Sequence, residues 1–402
     1  MRLQSVFPSD CEVSVSTAPT IAPNDESYWR EIQACFTPSP DFINLENGFF
    51  SIPVRTVQDA LERYNRQINS EGAFFMRTQY PQRLAAVVEK LAAVAGVGAD
   101  ELIIVRNPTE GMNILLQGYS FVPGDEVVYG DQDYNSVNDA LLMLEQRGRF
   151  RLVQVKVPFH PESDEQIVAL YERAITPRTR MIVLTHMLHK TGQLLPVAKI
   201  AAMAQARGVD VIVDAAHSYA QVDFKLPELG SPFVAGHLHK WMGAPMGVGL
   251  LYVRRDRIAD IAPLMGDVSF AADDIRKLRH FGTTPAGIEL AVADAIDFHE
   301  RVGGANKEAR LRWLKECWTS RVRELSRLQL MTPGGERSCA IAAFRIDGMP
   351  SSDVAKMLMQ EHRIFTVALE VAGVDVVRVT PHLHNTTEQL DRFVAALTTL
   401  AR

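Results

Sequence analysis

Two short stretches of this chain hold residues whose types and spacing suit amine chemistry. Val211-Ile212-Val213-Asp214-Ala215-Ala216-His217 is an apolar run ending in a carboxylate. After one short connection comes His237-Leu238-His239-Lys240-Trp241, then Ala244-Pro245-Met246-Gly247-Val248-Gly249. A lysine in such a loop can form a Schiff base with an aldehyde, and an aspartate closing a buried strand can pair with a protonated pyridine nitrogen. Together they suit pyridoxal 5'-phosphate (PLP). Lys240 must be neutral to attack, and desolvation or a neighbouring cation depresses a lysine pKa. Asp214 alone admits two readings. A buried carboxylate is costly unless paired, which favours the pyridinium, but Asp-Ala-Ala after a strand is also an ordinary helix N-cap. On the first reading the reaction starts at the α-carbon of an amine substrate.

Other polar positions are less specific. Asn107-Pro108-Thr109-Glu110-Gly111 suits a helix start, with Asn107 as N-cap and Pro108 in the first helical position. Free N–H groups there, joined by the Thr109 hydroxyl, can hold a phosphate. Gly282-Thr283 is a weaker signal. Arg378, within Val376-Val377-Arg378-Val379, is either a fork for a carboxylate or an edge-strand arginine. The pairs His186/His189, His237/His239 and His382/His384 invite a metal reading, but no carboxylate or cysteine cluster completes a ligand set, so no metal is expected. Gly243–Gly249 precedes an apolar run rather than following one, so it is no dinucleotide fingerprint. No serine nucleophile elbow is present.

The elements that must position these residues can be read from hydropathy. Apolar runs at Leu102–Val105, Glu126–Tyr129, Arg151–Val157, Arg180–Thr185, Val211–Val213 and Gly249–Val253 predict strands, most of them buried on both faces. Amphipathic stretches such as Asp139–Gln146 and Val197–Arg207 lie between them, and Gly208 suits a helix C′ position. Strand–helix alternation implies a mostly parallel sheet with ligands beyond its carboxyl ends. Asn107–Thr109, Tyr134, His186–Thr191 and Asp214 all fall there. Beyond about residue 285 a long helical segment, Ala286–Leu325, precedes strands near Ala340–Ile346 and Val376–Val379 and a helix at Thr387–Leu400. The expected division is a tail at 1–20, a segment at 21–50 packing on the small domain or cleft, a large α/β domain at 51–285 and a small α+β domain at 286–402.

Composition narrows the function. With 402 residues, 47% hydrophobic and 22% charged, the chain reads as an ordinary globular protein of two domains. Net charge of −6 offers no footprint for nucleic acid or anionic lipid. No apolar run approaches membrane-spanning length, and no export signal is visible near Met1. Cys11, Cys35, Cys317 and Cys339 form no disulfide framework, so a cytoplasmic protein with reduced thiols is expected.

Taken together, these residues resemble the class V aminotransferase family of PLP enzymes, in its isopenicillin N epimerase-like branch. Leu188-His189-Lys190-Thr191-Gly192 and the His239-Lys240-Trp241 loop look most like the pyoverdine-tailoring members. The resemblance implies a fold-type I (aspartate aminotransferase-like) homodimer with shared active sites. It implies Lys240 as the internal aldimine, Asp214 at the pyridine nitrogen, His217 near the phenolic oxygen and Tyr134 on the ring face. Thr109 with neighbouring N–H groups, His239 and His237 would hold the phosphate, and Thr283 would reach it from the other subunit. Pro108 stands where some relatives have a phosphate-binding threonine. Arg378 would bind the substrate carboxylate, Asn47 and Gly48 would line the substrate mouth, and His189 replaces an asparagine of the desulfurases. Those enzymes carry a nucleophilic cysteine before the arginine; Arg363 to Val377 has none, which argues against a persulfide relay.

The expected activity is on an amino acid, or the amino-acid end of a specialised metabolite, through a lysine aldimine and a quinonoid, with transaminase-like or epimerase outcome. The alternatives are a β-lyase (C–S lyase) and a PLP-binding protein without turnover.

Overall fold

A computed structural model describes residues 19–402. The expected N-terminal tail lies outside the described residues except for Pro19 and Thr20, as does Cys11.

Seven strands build the large sheet: β1 (Leu102–Val105), β2 (Glu126–Gly130), β3 (Arg151–Val155), β4 (Thr179–Thr185), β5 (Asp210–Asp214), β6 (Phe233–His237) and β7 (Gly249–Val253). Their order is β1-β7-β6-β5-β4-β2-β3. β7 runs antiparallel to both its neighbours, and the other pairings are parallel. Val211, Ile212 and Val213 are buried, and the β-branched or leucine-rich runs beside them are equally shielded, because helices cover both faces. Two apolar cores result, one on each side of the sheet.

β6 is absent from the expected strands. Its sequence, Phe-Val-Ala-Gly-His, contains a glycine and a histidine that weaken the apolar signature. It nonetheless sits fully enclosed between β5 and β7 and delivers His237 to the carboxyl end of the sheet.

The small sheet is antiparallel: β8 (Leu328–Leu330), β9 (Ala342–Ile346), β10 (Val367–Val371) and β11 (Val374–Val379), in the order β10-β11-β9-β8. The single helical segment expected at Ala286–Leu325 is three helices, Ala286–Leu290, Val292–Val302 and Gly304–Val322. The last break falls at Gly303, whose φ of +83° only glycine adopts without strain. The final helix, Thr387–Leu400, starts from a capping box between Thr386 and Gln389. Trp318, Phe344 and Phe393 fill the core beneath this sheet.

The chain between 21 and 50 joins the two regions. Ile43–Asn44 pairs in parallel with Ile364–Phe365, and Glu46 bridges to Thr380. That register carries Glu46, Asn47 and Gly48 to Arg378 on β11. Gly192 marks another close approach: its φ is +74°, and a Cβ there would lie 2.1 Å from the Ile341 carbonyl oxygen.

Candidate active site

At the carboxyl ends of the parallel strands, Pro108, Thr109, Tyr134, Thr185, His189, Asp214, Ala216, His217, His237 and Lys240 surround one small enclosure. The position follows from the sheet: strands of one direction end together, and the turns beyond them converge.

Lys240 is 7% exposed, and its Nζ lies 2.9 Å from His217 Nε2. Burial, reinforced by the Arg378 charge, pushes the Lys240 ammonium well below the usual lysine range, while Asp214 and Glu46 oppose that shift. Burial also pushes the Asp214 carboxyl above its ordinary range. One Asp214 oxygen accepts from the Ala216 N–H at 2.8 Å, but it closes a turn rather than capping a helix, because the next helical element begins only at Leu226. Its other oxygen has no hydrogen bond among the described residues and belongs to the enclosure. The helix N-cap reading is therefore not met, while the free oxygen leaves the pyridine-nitrogen reading open.

His217 is held well below the imidazole range by burial and then by the Lys240 charge, so it is neutral at pH 7. His189 is likewise neutral; its ring meets Tyr134 edge-on at 5.0 Å and stacks towards His217 at 6.3 Å. His237 Nδ1, His189 Nδ1 and His217 Nδ1 are all buried without a partner among the described residues. Three orphaned nitrogens around one enclosure are expensive unless a polar ligand or water meets them.

Several expected residues are placed differently. His239 lies beside the enclosure: its Nδ1 meets the Val248 carbonyl at 3.0 Å, and its ring packs on His237 at 4.1 Å. Asn47 does not line the enclosure either. Its amide donates to the Thr380 carbonyl at 2.8 Å and its Oδ1 meets His384 Nε2 at 3.1 Å. Thr283 is exposed on a separate loop, outside this chain's own enclosure. The helix Pro108–Gly118 offers less to a phosphate than expected. Pro108 has no N–H, and the Glu110 N–H already bonds Asn107 Oδ1, leaving the Thr109 N–H and hydroxyl. Thr185 and Ala216 were not anticipated. Thr185 is in register with Asp214 across β4 and β5, so the strand-end rule reaches it.

A match to the aminotransferase class-V model spans residues 52–393. The chain belongs to the class V aminotransferase family. Among curated relatives of this class V chain, isopenicillin N epimerase of Streptomyces clavuligerus is 26% identical over 92% of this chain and 98% of its own. A probable cysteine desulfurase of Methanothermobacter thermautotrophicus is also 26% identical, over 84% and 88%. Among solved structures, a C-DES mutant with glycine covalently linked to the PLP cofactor superposes with a TM-score of 0.82 at 21% identity, covering 90% of this chain and 99% of that one. The fold is PLP fold-type I, and the chain is a PLP enzyme of its family. The enclosure fits that cofactor: a buried lysine for the aldehyde, a buried carboxylate for the ring nitrogen, and unpaired imidazole nitrogens between them. Among the described residues no metal-ligand cluster occurs.

This concentration of buried imidazoles has a measurable consequence. Burial lowers the pKa of His186, His189, His217, His237, His239, His299, His382 and His384, with His186, His239 and His384 pushed down to about 4. Below pH 6.5 the unfolded chain binds protons that the folded one refuses, so stability falls as pH falls. Each of His186, His239 and His384 contributes roughly 2 kcal/mol of loss by pH 5, and the other five act in the same direction. Asp131, Asp133, Asp214 and Asp294 have raised values and act in the opposite sense, but they are outnumbered. The cofactor-free protein is expected to unfold at clearly lower urea at pH 5 than at pH 7; equal midpoints would contradict the burial of these rings.

Proposed function

We propose that this chain acts at the α-carbon of an amino acid, or of the amino-acid end of a larger specialised metabolite, with a transaminase-like or epimerase outcome. The observation that carries the reading is the 2.9 Å contact between Lys240 Nζ and His217 Nε2 inside the enclosure. A lysine whose pKa burial lowers to about 7 is available in its neutral form to accept the α-proton, and a neutral imidazole beside it gives that proton a second resting place. PLP, when bound, supplies an electron sink that stabilises negative charge at the α-carbon. Lys240 would hold its aldehyde carbon, Asp214 its ring nitrogen, and Thr109 with His237 its phosphate. Tyr134 and Ala216 would bound the ring, and Arg378 would hold the substrate carboxyl group. His189, on the wall between Tyr134 and His217, would exclude water from the proton path.

Exposed Phe49, Phe74, Met246, Met265 and Val268 support a homodimer, in which Thr283 would serve the partner's site. No helix among the described residues is long and apolar enough to cross a membrane; a cytoplasmic location and a small-molecule amino-acid substrate fit the family.

A β-lyase is the second reading, favoured by relatives such as the cysteine desulfurase and by the description of C-DES as a cystine C-S lyase. A persulfide relay is not part of it. Burial pushes the Cys339 thiol up to about 12 and Cys317 up to about 11, so neither is a ready nucleophile. Incubation with amino acids in deuterium oxide separates these outcomes. Deuterium at the α-carbon of recovered or inverted substrate, or formation of a keto acid that keeps the side chain, is expected. Pyruvate with ammonia and no α-exchange would replace the proposal with the lyase.

A further inference from the structure

Arg378 is 6% exposed and already engaged on three sides. Its Nε donates to Glu46 Oε2 at 3.2 Å and its Nη2 to Glu46 Oε1 at 2.5 Å. Its Nη1 donates to the His189 carbonyl at 2.8 Å, and this ties the guanidinium to a residue lining the enclosure. The Gly48 backbone lies against the guanidinium, since a Cβ at that position would stand 2.8 Å from Cζ.

Glu46 is built into this place. Its side chain is 7% exposed, and Oε1 also accepts from the Phe49 N–H at 3.0 Å, closing the turn of its own loop. Its backbone bridges to Thr380, two residues beyond Arg378. The carboxylate is therefore held from two directions, and only one of them is the arginine. Both charges are felt at Lys240, Arg378 lowering its pKa and Glu46 raising it.

A guanidinium has five N–H donors. Three are spent, leaving one on each terminal nitrogen, and the positive charge is already matched by a buried carboxylate. A second carboxylate brought to that pair makes the cluster net negative in a site of low dielectric, where such an imbalance is costly. A neutral carbonyl pays no such penalty and can accept from the same two donors.

We propose that Glu46 is a specificity-determining residue: it cancels the charge of Arg378 so that the substrate's acyl end is selected by hydrogen bonding rather than by charge. The substrate class this implies is α-amino compounds whose carboxyl group is amidated or esterified as well as those in which it is free. This rests on Arg378 holding the substrate carboxyl group, as proposed above.

The test compares two unreactive probes, 3-phenylpropionate and 3-phenylpropionamide, titrated calorimetrically into the PLP-loaded protein. Wild type is expected to bind them within about threefold of each other. Glu46→Gln, which keeps an acceptor for Nη2 but removes the charge, is expected to shift the ratio at least tenfold towards the carboxylate. A wild type that prefers the carboxylate tenfold or binds neither probe, or a Glu46→Gln ratio that does not move, overturns the proposal. Arg378→Gln is the separate control: unchanged binding of both probes in that variant means that Arg378 is not the acyl site, and the prior reading fails instead. The wild-type ratio decides the matter even where a variant folds poorly.

Discussion

Lys240→Ala is expected to lower turnover by at least about a thousandfold and to abolish the visible absorbance of the lysine-bound cofactor. The size follows from two roles in one side chain. Lys240 is the group placed to bind the aldehyde and also the base placed to take the α-proton, and general-base catalysis alone contributes on the order of 10²–10⁴. The fold should survive. Lys240 is buried at a cost that its lowered pKa reports, so removing the amine relieves desolvation while opening a small cavity beside His217. Near-wild-type circular dichroism with activity gone is the expected pair of results. Retention of more than about a tenth of the activity would mean that another amine does the work. Lys190 is half-buried and donates to Asn135 Oδ1 at 3.0 Å, and Lys307 is buried against the Trp241 carbonyl, so both are available comparisons.

Asp214→Asn should cost on the order of 10²–10³ in kcat/KM. Asparagine keeps the oxygen that accepts from the Ala216 N–H, so the turn after β5 is preserved and the charge alone is removed. Breaking a buried charge pair by losing one partner costs roughly 3–5 kcal/mol, and each 1.4 kcal/mol is tenfold in rate. A second readout separates this from simple damage. Asp214 favours the ammonium form of Lys240, so the variant should shift the pH titration of the cofactor-free lysine to lower values, as reported by its rate of labelling with an amine reagent. Full activity with an unmoved titration would leave Asp214 only the role of closing the turn at Ala216.

How much of this was legible beforehand depended on whether a signal was local. Leu102–Val105 and Gly249–Val253 coincide with β1 and β7 because continuous β-rich runs bounded by turns have few other solutions. Asp214 stood out as a charge closing an apolar run, and Lys240 as a lone lysine in a His- and Gly-rich loop downstream of it. β6 was missed because Gly236 and His237 dilute a run that tertiary enclosure, rather than propensity, turns into a strand. Within the expected segment Ala286–Leu325, the second break hung on Gly303, one glycine inside a helical pattern, which is a weak stop signal until its positive φ is seen. Glu46 could not be found at all. Its partner Arg378 is far along the chain, and only the parallel pairing of Ile43–Asn44 with Ile364–Phe365 brings the two together. Asn47 shows the converse: the sequence position was suggestive, but Thr380 and His384 consume its amide.

The central claim is that Lys240 is the residue that carries the cofactor. Borohydride reduction of the yellow, PLP-loaded protein, followed by peptide mass mapping, tests it without needing the substrate. A reduced phosphopyridoxyl group on the peptide containing Lys240, in about one equivalent per chain, is the predicted result. The same label on Lys190 or Lys307, or no stable label on any lysine, would contradict the account.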